Sequence, residues 1–391
     1  MTRIRQPFVL SCCVGLSGNF FEVNKLTSQL FTPIKLGKME IKNRFMRSAT
    51  WDAMADSSGL ITDRSKALYH ELNTGGIGLI VTGFAFVSFP LGQAGVGQFG
   101  IYNDKMIPGW KSVVKEAHNN GSKLAMQIVH GGINSGFLVT KEASLCAVSS
   151  LPKYAGRKHH EMTGAEIEGI IADFIAAGVR VREAGFDAVQ LHGAHGYLIT
   201  QFMSPLFNQR SDKWGGTPEN RRRFLLEIVK GLRKALGPDY PILIKFGVQD
   251  DKEGGMPLSE GLDACKEMVK AGMDSIEVSA GFGSAIVRLR EGEVSKTIFR
   301  ERAAAVKKAV NIPIAVVNGI RNLETADDII NSGDADIISM SRPFIREPHL
   351  VLRWQKGDNS PAKCISCGKC MPNGLVDSGL VCGEEERLRK K

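Results

Sequence analysis

Short apolar runs alternate with amphipathic helical segments along the chain from Phe31 onward. This alternation is typical of a parallel sheet built from repeated βα units. Eight apolar runs have the length of buried strands, and they cover residues 44–49, 77–82, 123–128, 187–192, 241–246, 275–279, 312–317 and 336–340. Eight such units close a (β/α)8 TIM barrel, so the pattern predicts that α/β fold. Before the first strand, residues 34–41 predict a short hairpin at the barrel floor.

The pattern divides the chain into three regions. Residues 1–28 contain a short apolar stretch that faintly resembles a signal peptide, and we interpret them as an N-terminal extension. Residues 29–355 hold the barrel pattern, and residues 356–391 form a cysteine-rich tail. Two connections, residues 131–162 and 280–300, are longer than a barrel requires. We expect them to be substrate-selecting lids, with tolerated surface insertions as the alternative.

Composition and charge narrow the choice of partner. The 391 residues carry a formal net charge of +9, and 43% of them are hydrophobic. Basic residues are scattered among acidic ones, which argues against nucleic acid and favours a phosphorylated cofactor or substrate. No apolar run reaches the roughly 20 residues that a membrane helix needs. We therefore expect a soluble enzyme that acts on a small molecule, and the oligomeric state stays open, a homo-oligomer included.

The eight cysteines are unevenly distributed. Four stand at Cys12, Cys13, Cys146 and Cys265, and the other four are Cys364, Cys367, Cys370 and Cys382. Three thiolates at two-residue intervals with a fourth nearby can ligate a 4Fe-4S cluster or a tetrahedral zinc ion. A secreted disulfide framework would be spread along a shorter chain, so the pattern favours a reducing cytoplasm.

A polar cluster follows the fourth predicted strand, where His192, His195 and Tyr197 lie in a glycine-containing turn. Two imidazoles three residues apart can share a metal ion, but no nearby Glu, Asp or Cys completes such a site. A purely packing role is a second interpretation. A third is a pair of hydrogen-bond donors aimed at one oxygen atom, with a phenol beside them as a proton source.

The run HGAHGYLITQFMSPLFNQRSDKWGG, followed by ENRRRF, resembles the signature of the old yellow enzyme family, the NADH:flavin oxidoreductases. The resemblance implies a barrel with bound FMN. It also implies hydride transfer from NADH or NADPH through the flavin to the activated C=C of an α,β-unsaturated carbonyl compound. In that ene-reductase reaction His192 and His195 would bind the carbonyl oxygen, and Tyr197 would protonate the α-carbon.

The resemblance assigns contacts to the flavin ring as well. Gln127 matches a glutamine that hydrogen-bonds the pyrimidine edge, and Lys245 stands where the family usually has an arginine beside flavin N1 and O2. Lysine supplies a positive charge there without the planar guanidinium fork. Thr50 matches a residue near flavin O4, whereas Ala49 and the backbone of Gly83 would pack against the ring.

Four further residues match the family's phosphate-binding end. Asn318 and Gly319 follow the seventh predicted strand, and Ser341 and Arg342 follow the eighth. Backbone N–H groups, a hydroxyl and a guanidinium make a phosphate cradle, which barrels commonly place after these two strands.

The cysteine tail resembles that of the branch containing 2,4-dienoyl-CoA reductase and trimethylamine dehydrogenase, in which an iron-sulfur cluster follows the flavin barrel. Here Cys367 and Cys370 stand one residue closer than is usual in that branch, and no G-x-G-x-x-G unit follows them in this sequence. We therefore expect one of three situations: a cluster fed by a separate electron-transfer partner protein, a structural metal, or an orphaned motif.

Three other functions stay open. A flavin and iron-sulfur dehydrogenase of the amine or enoyl-CoA type would exchange electrons with a partner protein. A flavin-free barrel lyase would use Lys245 as a Schiff-base amine. A non-enzymatic electron carrier would use the cysteine tail alone.

Overall fold

The computed structural model describes residues 28–135, 144–154, 156–283, 297–370 and 379–389. The extension proposed for residues 1–28 lies outside this part of the chain, apart from Ser28. The two connections expected to be lids lie partly outside it.

Among the described residues, eight parallel strands close a barrel, and six short strands lie outside the ring. In chain order, the strands are β1 (Ile34–Leu36), β2 (Met39–Ile41), β3 (Phe45–Arg47), β4 (Leu79–Val81), β5 (Ala85–Phe86), β6 (Phe99–Gly100), β7 (Lys123–Val129), β8 (Leu145–Ala147), β9 (His159–Glu161), β10 (Ala188–Gly193), β11 (Ile242–Gly247), β12 (Ser275–Ser279), β13 (Ile314–Val317) and β14 (Ile337–Met340). Around the ring the order is β3, β4, β7, β10, β11, β12, β13 and β14, and β14 pairs with β3 to close it. The predicted (β/α)8 barrel is confirmed.

All eight predicted barrel strands are present, with boundaries that differ from the predicted ones by at most two residues. The four strands β5, β6, β8 and β9 are not predicted by the sequence pattern, because each is only two or three residues long. β5 pairs with β7 and β6, whereas β8 and β9 pair with each other inside the long connection after β7. β5 and β6 therefore extend the barrel sheet beside β7, whereas β8 and β9 form a separate two-stranded sheet.

The antiparallel pair β1 and β2 is the hairpin that the sequence predicts. Its buried residues Leu36, Met39 and Ile41 belong to an apolar cluster that also contains Met46 of β3. Burial of these side chains fixes the hairpin against the barrel strands.

Helices follow the barrel strands, and a last helix lies in the cysteine tail. They are α1 (Asp63–Thr74), α2 (Ile107–Asn119), α3 (Gly164–Glu183), α4 (Leu198–Met203), α5 (Pro218–Leu236), α6 (Leu258–Lys270), α7 (Arg300–Ala309), α8 (Leu323–Asn331), α9 (Arg342–Arg346), α10 (Leu350–Gln355) and α11 (Gly383–Arg389). At the start of α5, Thr217 accepts a hydrogen bond from the Asn220 backbone N–H, and Pro218 occupies the first turn. Within the described ranges, no helix is long and apolar enough to cross a membrane.

Candidate active site

A cavity of about 600 Å³ opens at the carboxyl ends of the barrel strands. This volume is suitable for a cofactor or small-molecule ligand. Ten of the twelve residues that the sequence suggests for catalysis or flavin contact line it, namely Ala49, Thr50, His192, His195, Tyr197, Lys245, Asn318, Gly319, Ser341 and Arg342. The other two, Gly83 and Gln127, do not line it.

His192 and His195 face each other at the end of β10, with ring centroids 5.1 Å apart in an edge-to-face arrangement. The Ala194 backbone N–H donates to His192 Nδ1 at 3.3 Å, which places the ring proton of neutral His192 on Nε2. His195 Nε2 lies 3.0 Å from the Ser279 hydroxyl oxygen. Because a hydroxyl can donate or accept, this contact suits either neutral tautomer of His195.

Both histidines are neutral at pH 7. Burial, with a smaller contribution from His195 and Lys245, lowers the pKa of His192 well below its usual range. Burial and the charge of Lys245 lower the pKa of His195 to about 3. The His195 side chain is nevertheless exposed to the cavity, where water screens part of this effect. A neutral imidazole still has one N–H donor, so the pair offers hydrogen bonds without a net charge.

Tyr197 lies against His192, with ring centroids 4.8 Å apart. Burial raises the pKa of Tyr197 to about 12, so the phenol keeps its proton at neutral pH. Phe84 packs 5.7 Å from the His192 ring and 5.5 Å from the Tyr197 ring, measured between centroids. The structure therefore brings the three predicted catalytic side chains together on one wall of the cavity.

Lys245 of β11 lines the cavity and is paired with a buried carboxylate that the sequence pattern does not single out. Its Nζ donates to the Ser48 hydroxyl oxygen at 2.5 Å and lies 3.4 Å from Glu277 Oε1. The one signal in the sequence is an acidic residue inside an otherwise strand-like run, residues 275–279. The Lys245 amine is already engaged with Ser48 and Glu277, which argues against the Schiff-base role that a lyase would need.

Gln127 is buried behind the cavity lining. Its Nε2 donates to Gln190 Oε1 at 2.7 Å. Its Oε1 has no hydrogen-bond partner among the described residues. Buried amide oxygens normally have a partner, so this atom is an acceptor available to a bound group.

Gly83 does not line the cavity, and its backbone N–H takes part in a buried hydrogen-bond network. The Gly83 N–H donates to the Tyr69 hydroxyl at 2.8 Å, and this hydroxyl donates to Asp52 Oδ2 at 2.7 Å. Asp52 Oδ1 is 2.6 Å from Arg47 Nη2. A Cβ on Gly83 would lie 2.7 Å from Asp52 Oδ2 and 2.8 Å from the Thr50 carbonyl oxygen, so only glycine fits here.

Asn318 and Gly319 form a left-handed turn after β13, with φ values of 86° and 83°. Asn318 Oδ1 and Arg321 Nε are buried and have no hydrogen-bond partner among the described residues. Both residues line the cavity. The unpaired cationic donor of Arg321 suits an anionic ligand group, whereas the Asn318 carbonyl oxygen can accept only from a ligand N–H or O–H. Arg321 is absent from the sequence-based assignment because no motif marks it.

Ser341 and Arg342 connect this end of the cavity to the loop after β3 and to the cysteine tail. The hydroxyl oxygens of Thr50 and Ser341 are 2.7 Å apart. Arg342 Nη1 donates to the Ser366 carbonyl oxygen at 3.3 Å, and Ser366 itself lines the cavity. The tail is therefore part of the cavity wall.

The four tail cysteines lie close enough to influence one another. Burial, followed by the neighbouring thiols of Cys364, Cys382 and Cys367, raises the pKa of Cys370 to about 12. The Ser366 backbone N–H donates to Cys364 Sγ at 3.4 Å. No group of three or more potential ligand side chains in the described part of the chain is arranged to hold a metal ion. Metal binding by these cysteines stays a prediction.

The fold and the cavity define a TIM barrel with a ligand site at its catalytic face. Residues 29–360 match the model of the NADH:flavin oxidoreductase / NADH oxidase family, and the chain belongs to that family. Membership confirms the resemblance to old yellow enzyme and the oxidoreductase class, and it implies FMN and a reduced nicotinamide as partners of the barrel.

Three known proteins illustrate the relationship. An NADH oxidase of Thermoanaerobacter brockii is 37% identical over 354 residues, which cover 90% of this chain and 54% of that protein. An NADPH dehydrogenase of Clostridium acetobutylicum is 32% identical over 330 residues, which cover 83% of this chain and 94% of that protein. A solved complex of 2-naphthoyl-CoA reductase with 2-naphthoyl-CoA has a TM-score of 0.82 and 29% identity, and the match covers 88% of this chain and 54% of that one. The chain thus spans about half the length of the first and third of these proteins.

Proposed function

We propose that this chain is an FMN-dependent ene-reductase that uses NADH or NADPH to reduce the activated C=C of an α,β-unsaturated carbonyl compound. The observation that carries the proposal is the cavity wall formed by His192, His195 and Tyr197. Two neutral imidazoles and a protonated phenol there supply hydrogen bonds and a proton without placing a charge beside an uncharged substrate.

The cavity residues fit FMN. Arg321, Arg342 and the turn at Asn318 and Gly319 suit a phosphate group, and the buried Arg321 Nε is a donor without a partner among the described residues. Lys245 would hold the pyrimidine edge, which carries carbonyl oxygens. When bound, FMN supplies hydride transfer between the nicotinamide and the substrate carbon. We propose that Gln127 contributes through its unpaired Oε1, and Thr50 and Ala49 through the ring contacts that the family resemblance implies. Gly83 does not line the cavity, so its ring contact stays a prediction from the resemblance.

The histidine pair binds the substrate carbonyl oxygen in this proposal. His192 presents its Nε2–H, because Nδ1 accepts the Ala194 N–H. His195 is oriented by Ser279 and presents the second donor. Negative charge develops on the carbonyl oxygen as hydride reaches the β-carbon, so these hydrogen bonds strengthen in the transition state and lower its free energy.

Tyr197 supplies the proton for the α-carbon. Its raised pKa keeps the phenol protonated until the substrate carbanion-like carbon accepts that proton. The edge-to-face contact with His192 holds the phenol beside the carbonyl-binding donors.

The test is a turnover assay under anaerobic conditions with 2-cyclohexenone and either NADH or NADPH. The proposal predicts enone-dependent oxidation of the nicotinamide, a saturated ketone as product, and loss of this activity after FMN is removed. Oxidation of an amine by the same protein, without reduction of the enone, would contradict the proposal and support an amine dehydrogenase.

A second candidate is a flavin and iron-sulfur dehydrogenase that exchanges electrons with a partner protein. The spacing of the four tail cysteines in the sequence and the place of Ser366 in the cavity wall support it. Iron, acid-labile sulfide and zinc assays on anaerobically purified protein would test metal binding. Cys370→Ser should abolish bound metal, whereas the matched control Cys265→Ser, at a buried cysteine in α6, should not. Equal metal content in all three proteins would rule out a tail site.

We also propose a reducing, cytoplasmic setting. The six cysteines in the described part of the chain are all free thiols, which agrees with a reducing compartment.

A further inference from the structure

A buried carboxylate, Glu277 of β12, lies next to the cavity without lining it. Its side chain is 1% exposed. Oε1 accepts hydrogen bonds from the hydroxyls of Ser48 at 2.6 Å and Ser339 at 2.8 Å. Oε2 accepts from Gln190 Nε2 at 3.1 Å. A buried carboxylate is costly unless it is paired and hydrogen-bonded, and Glu277 meets both conditions.

The residues bound to Glu277 lead directly to the cavity. Ser48, Lys245 and Ser339 all line it. Lys245 and Glu277 are register partners on adjacent strands, which fixes their separation through the backbone. Gln190 in turn accepts a hydrogen bond from Gln127. One carboxylate therefore organises side chains from several barrel strands around Lys245.

The arrangement constrains the lysine ammonium group in two ways. One N–H is committed to Ser48, which leaves the remaining Lys245 donors for a ligand in the cavity. The Glu277 carboxylate, 3.4 Å from Nζ, also offsets the positive charge that such a ligand would experience.

We propose that Glu277 is a positioning residue for Lys245, and that the Lys245–Glu277 ion pair sets the reduction potential of the bound flavin. This inference rests on the proposed FMN-dependent function. A lone cation favours the negative charge that FMN takes up on reduction, and the buried carboxylate lessens that preference. The alternative is that Glu277 only stabilises the barrel interior.

The test measures the reduction potential of FMN in the holoenzyme by equilibration with reference dyes at fixed pH. Glu277→Gln keeps the shape and an acceptor oxygen but removes the charge. It should raise the potential by at least about 30 mV, which corresponds to a tenfold change in the two-electron equilibrium constant. Lys245→Met should lower it, and the double variant should lie between the two. Ser339→Ala, which removes one hydrogen bond to Glu277 and no charge, is the matched control and should change the constant less than either charge variant.

A change below about twofold in Glu277→Gln with a full complement of FMN would overturn the inference. If this variant fails to retain FMN, Lys245→Met is compared with the double variant, which buries no unpaired charge. The double variant should then have a higher potential than Lys245→Met, because it lacks the carboxylate. Equal potentials in these two variants would overturn the inference. Absence of FMN from the wild-type protein would instead refute the proposed function itself.

Discussion

Replacement of His192 by alanine tests the proposed carbonyl-binding pair most sharply. His192 is 2% exposed, and its Nε2–H is the donor because Nδ1 accepts the Ala194 N–H. Loss of one such preorganised donor typically costs about 10²–10³ in rate, or roughly 2.7–4 kcal/mol of transition-state stabilisation. We expect the rate of enone reduction to fall by that factor in His192→Ala.

His195→Ala provides an internal comparison. His195 is exposed to the cavity, so water can replace part of the lost hydrogen bond. A net hydrogen bond contributes roughly 0.5–1.5 kcal/mol, so we expect at most about a tenfold loss of rate. The structure therefore predicts a larger effect for His192 than for His195.

The assay is a single-turnover measurement in which flavin-reduced protein is mixed with 2-cyclohexenone without oxygen. FMN content should be equal in wild type and both variants, because neither histidine is assigned to the phosphate or the pyrimidine edge. Unchanged rates in His192→Ala, or a larger loss in His195→Ala than in His192→Ala, would show that His192 is not the main donor to the carbonyl oxygen.

Three further predictions concern stability and pH. Asp52→Asn leaves the buried Arg47 guanidinium without its carboxylate and should lower the free energy of unfolding, measured with urea, by about 3–5 kcal/mol. A decrease below about 1 kcal/mol would contradict a stabilising buried ion pair. Gly83→Ala forces a Cβ to 2.7 Å from the fixed Asp52 carboxylate and should cost about 1–3 kcal/mol; an unchanged melting temperature would exclude that clash. Burial lowers the pKa of His130 to about 4 and that of His192 well below 6.5, so the unfolded chain binds more protons between pH 6.5 and 4. The free energy of unfolding should therefore fall as pH decreases through this window, by up to about 1.4 kcal/mol per pH unit for each histidine. In His130→Asn it should fall less steeply with pH than in the wild type. An equal slope in the two proteins would argue against a contribution from His130.

The sequence predicts best those features that are contiguous or periodic. The barrel strands are apolar runs of recognisable length, and all eight are found within two residues of their predicted ends. His192, His195 and Tyr197 lie within one short turn, so their convergence on one wall follows from the end of a single strand. The family resemblance adds residues at other strand ends, and most of these do line the cavity.

Features that depend on pairing between distant strands are harder to predict. The contact between Lys245 and Glu277 depends on the β11–β12 register, which no local pattern specifies. Gly83 lies at a predicted strand end, yet its N–H donates to the hydroxyl of Tyr69 in α1, a contact that no local pattern specifies. Arg321 follows β13 in a loop without a recognisable motif, although this residue lines the cavity.

In the proposed function, this chain transfers hydride from a reduced nicotinamide through FMN to an enone. The most direct measurement is the flavin absorption of anaerobic protein during sequential addition of one equivalent of NADPH or NADH and then 2-cyclohexenone. We predict that the visible absorption band of oxidised flavin is bleached by the nicotinamide and restored by the enone, with one saturated ketone formed per FMN. A band that is bleached but not restored by the enone, or a protein that shows no flavin band, would contradict the account.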